Sequence, residues 1–180
     1  MQIKEGIHLA YCTNIHRGEG WEETFQGLKE YSLKVKDKVS NTDPFAIGLR
    51  LGYKAAIELS EEGSGRLDEF IQWLDVNNCY VFTINGFPYG QFHGARVKEQ
   101  VYRPDWTSNS RLEYTNLLFN ILSKILPDGI SGSVSTLPGS FKEFIANEDE
   151  QGEMIVNNLG RCGHYINQLC EKTGKDLHLG

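Results

Sequence analysis

The stretch ISGSVST, residues 130–136, decides between the two folds that the rest of the chain allows. It follows a helix stopped by Pro127-Asp128-Gly129 and reads as a strand. Ser131, Gly132, Ser133 and Ser135 are nevertheless too small and too polar for a strand sandwiched between two helix layers, whereas barrel interiors and rims accept such a strand readily. Working outward, residues 80–84 (YVFTI) are a β-branched and aromatic strand that runs out at Asn85-Gly86-Phe87-Pro88. Residues 7–12 and 45–49 are earlier apolar runs, the first bounded by Thr13, Asn14 and His16, the second closing on Arg50. Residues 176–180 read as a fifth strand.

Between these runs the period changes to that of a helix. Trp21, Phe25, Leu28, Val35 and Val39 keep to one face, with Glu22 and Glu23 in the first turn where the helix dipole favours anions. Shorter helices over residues 53–61 and 67–76 are divided by Gly63-Ser64-Gly65. Ser110 with Glu113 three residues on is a capping-box pattern opening the helix that carries Tyr114, Leu117, Leu118, Ile121, Leu122 and Ile125. The last helix spans residues 150–173, with the acidic Glu148-Asp149-Glu150 at its start and Gly174 past its end.

Strand and helix in alternation mean βαβ units and a parallel sheet. A flavodoxin-like doubly wound domain of five strands would be complete at this length, but no glycine-rich phosphate fingerprint follows the first strand, and residues 130–136 suit it poorly. The expectation is therefore an α/β chain forming one unit over residues 1–180: an incomplete (β/α)8 barrel, about four and a half units with parallel strands, since a closed barrel takes about 250 residues. Such a half barrel would break off in its fifth strand, leave an open edge, and self-associate.

Composition excludes several classes of function. With 39% hydrophobic and 23% charged residues the chain is neither disordered nor fibrous. A net charge of −6 offers no footprint for a nucleic acid. The N-terminal MQIKEGIHLAYC carries charges where a signal peptide keeps its apolar run, and no stretch approaches the ~18 apolar residues of a membrane span, which points to a cytoplasmic chain. Cys12, Cys79, Cys162 and Cys170 form no CxxC pair and read as reduced thiols.

In parallel α/β architectures function collects at the C-terminal ends of the strands. The candidates there are Asn14 and His16 after the first strand, Arg50 after the second, Asn85 after the third and Thr136 after the fourth. The long stretch 86–109 has neither period, yet residues 80–106 hold Tyr80, Phe82, Phe87, Tyr89, Phe92, Tyr102 and Trp106, too many aromatics for a disordered linker. It reads as a wall or lid bearing His93. His93 and His16 are the candidates for proton transfer, each set against a plainer role as a loop histidine. Arg50 meets either an internal carboxylate or an anionic ligand. His178 faces the barrel interior if the register points it inward; His164 reads as a surface residue.

The segments HLAYCTNIHRGEGW (8–21), PFAIGLRLG (44–52), YVFTINGFPYGQFHG (80–94), VKEQVYRPDW (97–106) and SGSVSTLPGSF (131–141) together resemble the EboE-like metabolite traffic proteins of bacterial ebo clusters, members of the xylose isomerase-like barrels. The resemblance covers nearly the whole chain. It implies a (β/α)8 fold of the sugar isomerase/epimerase superfamily and the binding of a small, sugar-like metabolite at the barrel mouth. Acid/base roles would fall to His93 and His16, and substrate-positioning roles to Arg50, Asn85, Tyr89, Thr136, Asn14 and Trp106. It also implies ebo-cluster proteins as partners, among them one like a prenyltransferase, and a divalent metal held in the complete protein, although this chain supplies no ligand set of its own. TINGFPYGQFH is similar to the TNLF...H segment of xylose isomerase, which puts His93 or Tyr89 in the place of that enzyme's active-site histidine. Members of the family are longer, and the strand matching residues 176–180 leads there into a glutamate-bearing segment. The expected activity is isomerisation or epimerisation by proton transfer; the alternative is a non-catalytic carrier or assembly component that hands a metabolite to a partner enzyme. An abasic-site nuclease, the third reading from the same superfamily, conflicts with the acidic charge.

Overall fold

A computed structural model of the chain describes residues 1–40, 42–90 and 98–180. An antiparallel hairpin, β1 (Gln2–Lys4) and β2 (Ile7–His8), turns at Gly6 with φ of +73° and precedes a five-stranded parallel sheet. The sheet strands are β3 (Tyr11–Cys12), β4 (Phe45–Arg50), β5 (Cys79–Asn85), β6 (Gly132–Ser135) and β7 (Leu177–Leu179), laid side by side in chain order. Every neighbouring pair in this sheet is parallel. A sequential order has no reversal of winding, so the flavodoxin-like arrangement, which needs one, is not the one this chain adopts.

The helices are α1 (Trp21–Gly27), α2 (Leu33–Val39), α3 (Tyr53–Ser60), α4 (Arg66–Val76), α5 (Asn109–Ile125) and α6 (Glu148–Thr173). They pack in a row, α1 on α3, α3 on α5 and α5 on α6, as successive right-handed crossovers returning over one face require. That face buries Phe45, Ile47, Leu49, Val81, Ile84, Val134 and Leu177 in one core with the inward residues of the helices, among them Trp21, Phe25, Leu118, Ile121 and Leu122. Burying each such side chain contributes roughly 1.5–3 kcal/mol. Among the described residues no helix is long and apolar enough to cross a membrane.

Four expectations are corrected. Residues 7–12 do not form one buried strand: Ile7 and His8 pair back onto β1, the Met1 and Leu9 backbones bond each other, and only Tyr11 and Cys12 enter the parallel sheet. The helix from Trp21 contains a π turn at Leu28–Ser32, which inserts a residue and rotates the later turns by about 100°, so Val39 is exposed and Ser32 is buried. The cap of α5 is Ser108, whose side chain accepts from the Ser110 amide, rather than Ser110 itself; Glu113 instead accepts from Asn109. The small residues of β6 divide between the two faces. Gly132 lies under the helices, where an added Cβ would stand 2.8 Å from Leu126 and 3.0 Å from Leu177, while Ser133 and Ser135 take the other face.

Gly86, just past β5, is as tightly held: a Cβ there would meet Leu118 at 2.6 Å and the Ser135 carbonyl at 3.0 Å. Gly86→Ala is expected to cost about 1–3 kcal/mol in urea unfolding, since a carbonyl of the sheet cannot move aside. Gly90→Ala, where the methyl meets nothing within 4 Å, should stay within about 0.5 kcal/mol. Equal effects at the two positions would show that the α5–sheet contact is not tight.

Candidate functional site

Toward the C-terminal ends of β5 and β6, the face of the sheet opposite the helices carries short polar side chains. A bulge in β5 makes it so: Ile47 pairs with Val81 and Gly48 with Thr83, leaving Phe82 as an extra residue. Strict alternation from the buried Val81 would turn Thr83 and Asn85 toward the helices. The extra residue reverses the phase, so Ile84 enters the core and Thr83 and Asn85 face outward. Ser133, in register with Thr83, donates to its hydroxyl at 2.8 Å. One pair further, Ser135 donates to Asn85 Oδ1 at 3.3 Å, and the Phe87 amide donates to the same oxygen at 3.1 Å. With its oxygen engaged, Asn85 has two further N–H donors on its carboxamide nitrogen. His178 pairs in register with Ser133 and so stands on this face. His164 is exposed on α6.

Arg50 ends β4 directly beside Asn85 in the register. Its amide donates to Thr13 Oγ1 at 2.8 Å, and its guanidinium donates to the carbonyls of Gly18 at 3.2 Å and Gly90 at 3.4 Å. Loop carbonyls thus stand among its acceptors, joining the segment after β3 to the segment after β5. Burial lowers its pKa, a trend that the nearby Glu19 opposes.

His16 closes the same corner. Its Nε2 and the Tyr11 hydroxyl are 2.9 Å apart, and its ring lies flat on Tyr31 at 5.0 Å. Tyr31 belongs to the π turn, so the inserted residue supplies the surface on which the imidazole rests. Burial holds the ring below its usual 6.5. His16, Arg50, Thr13 and Gly18 border a recess of about 10 Å³, room for one water molecule.

The other expected residues tie loops together. Tyr89 stacks on Tyr53 at 4.6 Å and meets the edge of Tyr114, and its carbonyl accepts from the Tyr53 amide. Burial raises the pKa of its hydroxyl. Trp106 is fully buried; its indole donates to Thr136 Oγ1 at 3.1 Å, and its carbonyl accepts from Asn158. Asn14 sits in a 3-10 turn, Thr13–Ile15, beside β4. His93 lies outside the described residues. The arrangement therefore brings Arg50 and Asn85 together with Thr83, Ser133 and Ser135, while Thr136 and Trp106 pair with each other.

Sequence reasoning passed over Arg111, and it placed Tyr114 on the apolar stripe of its helix without a further role. Both are buried on the inward stripe of α5, and the spacing of Arg111 with Thr115, Leu118 and Leu122 is the signal that could have found it. A recess of about 820 Å³ is at the opposite end of the sheet, bordered by His8, Phe82, Ser131 and Lys175. Parallel sheets do not usually bind ligands at that end. No family model, no curated protein and no solved structure matches the chain.

A histidine kept neutral by burial makes stability depend on pH. Because His16 titrates below 6.5 when folded, the unfolded chain binds more protons just under that pH, and stability falls as the pH drops from 7 through 6.5 toward the folded value. His16→Gln should flatten this part of a urea-midpoint profile. An unchanged slope would show that His16 is not the group responsible.

Proposed function

We propose that the chain is the N-terminal part of an EboE-like protein of the xylose isomerase-like barrels, and that it binds a small, uncharged, polyhydroxylated metabolite on the polar face of the sheet. The observation that carries this reading is the ladder Thr83–Ser133 and Asn85–Ser135 beside Arg50. Hydroxyl and carboxamide groups offer donors and acceptors in equal measure, the pattern a polyol needs, and none of them adds charge. The sequential strand order with one row of helices supports the barrel, because winding without reversal is what a closed parallel barrel continues. In this reading Arg50, Asn85 and Thr136 line the mouth. Tyr89, Asn14 and Trp106 hold the loops around it, and His16 and His93 are the candidates for moving a proton.

Among the described residues no three His, Cys, Asp or Glu side chains come together as a metal site, and no step is routed through a metal. One observation favours the second reading, a carrier without chemistry. His178, in register with Ser133, is within 3.3 Å of the Ser131 hydroxyl, and the His16 Nε2 is within hydrogen-bonding distance of Tyr11, so both histidines at this face already have a partner.

The test is a calorimetric titration with myo-inositol, D-xylose and D-glucose, followed by NMR of each mixture over time. Binding that weakens about tenfold or more in Asn85→Ala supports the site, that being the loss expected for a ligand hydrogen bond whose partner is left unpaired. Conversion of the sugar, abolished in His93→Ala or His16→Ala, favours the isomerase, and binding without conversion favours the carrier. If none of the three compounds binds, the polyol reading fails.

A further inference from the structure

Arg111 is fully buried, and the side-chain hydrogen bonds it makes run to backbone carbonyls. Nε donates to Pro104 at 2.8 Å, Nη1 to Gly86 at 2.8 Å and Nη2 to Phe87 at 3.3 Å. These carbonyls belong to the two ends of one long loop, which leaves β5 at Gly86 and returns to α5 after Pro104. A single planar group thus closes the loop at its neck. One turn along α5, Tyr114 adds a second tie, its hydroxyl donating to the carbonyls of Leu51 and Pro88. Desolvation pulls the Arg111 pKa down to about 10, with Tyr114, Tyr89 and Asp105 opposing it. A cation is an expensive way to hold a loop when an apolar side chain of the same volume packs as well. What a guanidinium offers instead is direction, since its donors leave one rigid plane at fixed angles.

The carbonyls it fixes flank the ligand-facing amide. Gly86 follows Asn85 directly, and the Phe87 N–H holds Asn85 Oδ1 together with Ser135. We propose that Arg111 is a positioning residue for the Asn85 site: its guanidinium geometry, not its charge or bulk, sets the path of residues 86–87 and through it the orientation of the Asn85 carboxamide. The inference rests on the proposed site, and its test is read separately from ligand binding.

The experiment measures amide hydrogen exchange in the full chain for wild type, Arg111→Lys and Arg111→Ala. The Ala variant is measured with and without guanidinium at a sub-denaturing concentration, with ammonium as the control cation. Both variants should lose protection at Gly86 and Phe87 by about tenfold or more, while Ile47 and Val81 in the middle of the sheet stay protected. Guanidinium, but not ammonium, should restore the Ala variant. Wild-type protection in Arg111→Lys would overturn the proposal, because charge alone would then suffice, and so would a loss spread evenly over the sheet. Should Arg111→Ala fail to fold, the Lys variant decides by the same amides. If the exchange pattern holds but wild type does not bind myo-inositol, the positioning role stands and the polyol reading falls.

Discussion

Each crossover in a parallel sheet returns over the same side when the strands are taken in chain order, and that constraint shapes the rest of this molecule. It obliges the helices to share one face, so α1, α3, α5 and α6 lie in a row and the strands beneath them are apolar on that side. α5 bears the greatest burden, packing on β5 and β6 and on both neighbouring helices. It comes so near the sheet that glycine is required where it crosses, at Gly132 and at Gly86. The small residues of β6 therefore answer two demands at once, close packing on one face and polarity on the other.

Freed from packing against helices, the second face can carry chemistry. Its ladder of hydroxyl and carboxamide groups is neutral, yet two buried guanidinium groups stand at the strand ends around it. Both donate to loop carbonyls. Arg50 joins the segments after β3 and β5, and Arg111 joins the two ends of the β5–α5 loop. Trp106 and Thr136 extend the same scheme to the loop after β6. Loops built this way are held by directional bonds more than by apolar area, and this keeps the strand ends polar without leaving their backbone groups unpaired.

Much of this architecture could be read from residue order. The apolar period of residues 114–125 and the cap at Gly174, with φ of +69°, match α5 and α6, because helix phase and a left-handed terminus are properties of a few consecutive residues. Arg50 and Asn85 were found at strand ends because an apolar run that closes on a polar group marks such an end. The expected partners of Arg50 were a carboxylate or an anion, whereas two glycine carbonyls from distant loops stand among them. Backbone acceptors leave no mark in a side-chain sequence. The π turn and the bulge at Phe82 were hidden for a related reason, since one inserted residue changes the phase of a pattern without changing its composition.

The sequence by itself determined the alternation of strand and helix, the apolar stripe of each long helix and the polar residues that close the strands, all of them set by interactions spanning a few residues. The tertiary structure alone decided the order of the strands, which face Asn85 and Thr83 occupy, and what Arg50, Arg111 and Trp106 hold. These depend on groups far apart in the chain, as with Trp106 and Thr136, thirty residues apart. Such pairs are brought within bonding distance only when the helices have packed and the strands have taken their places.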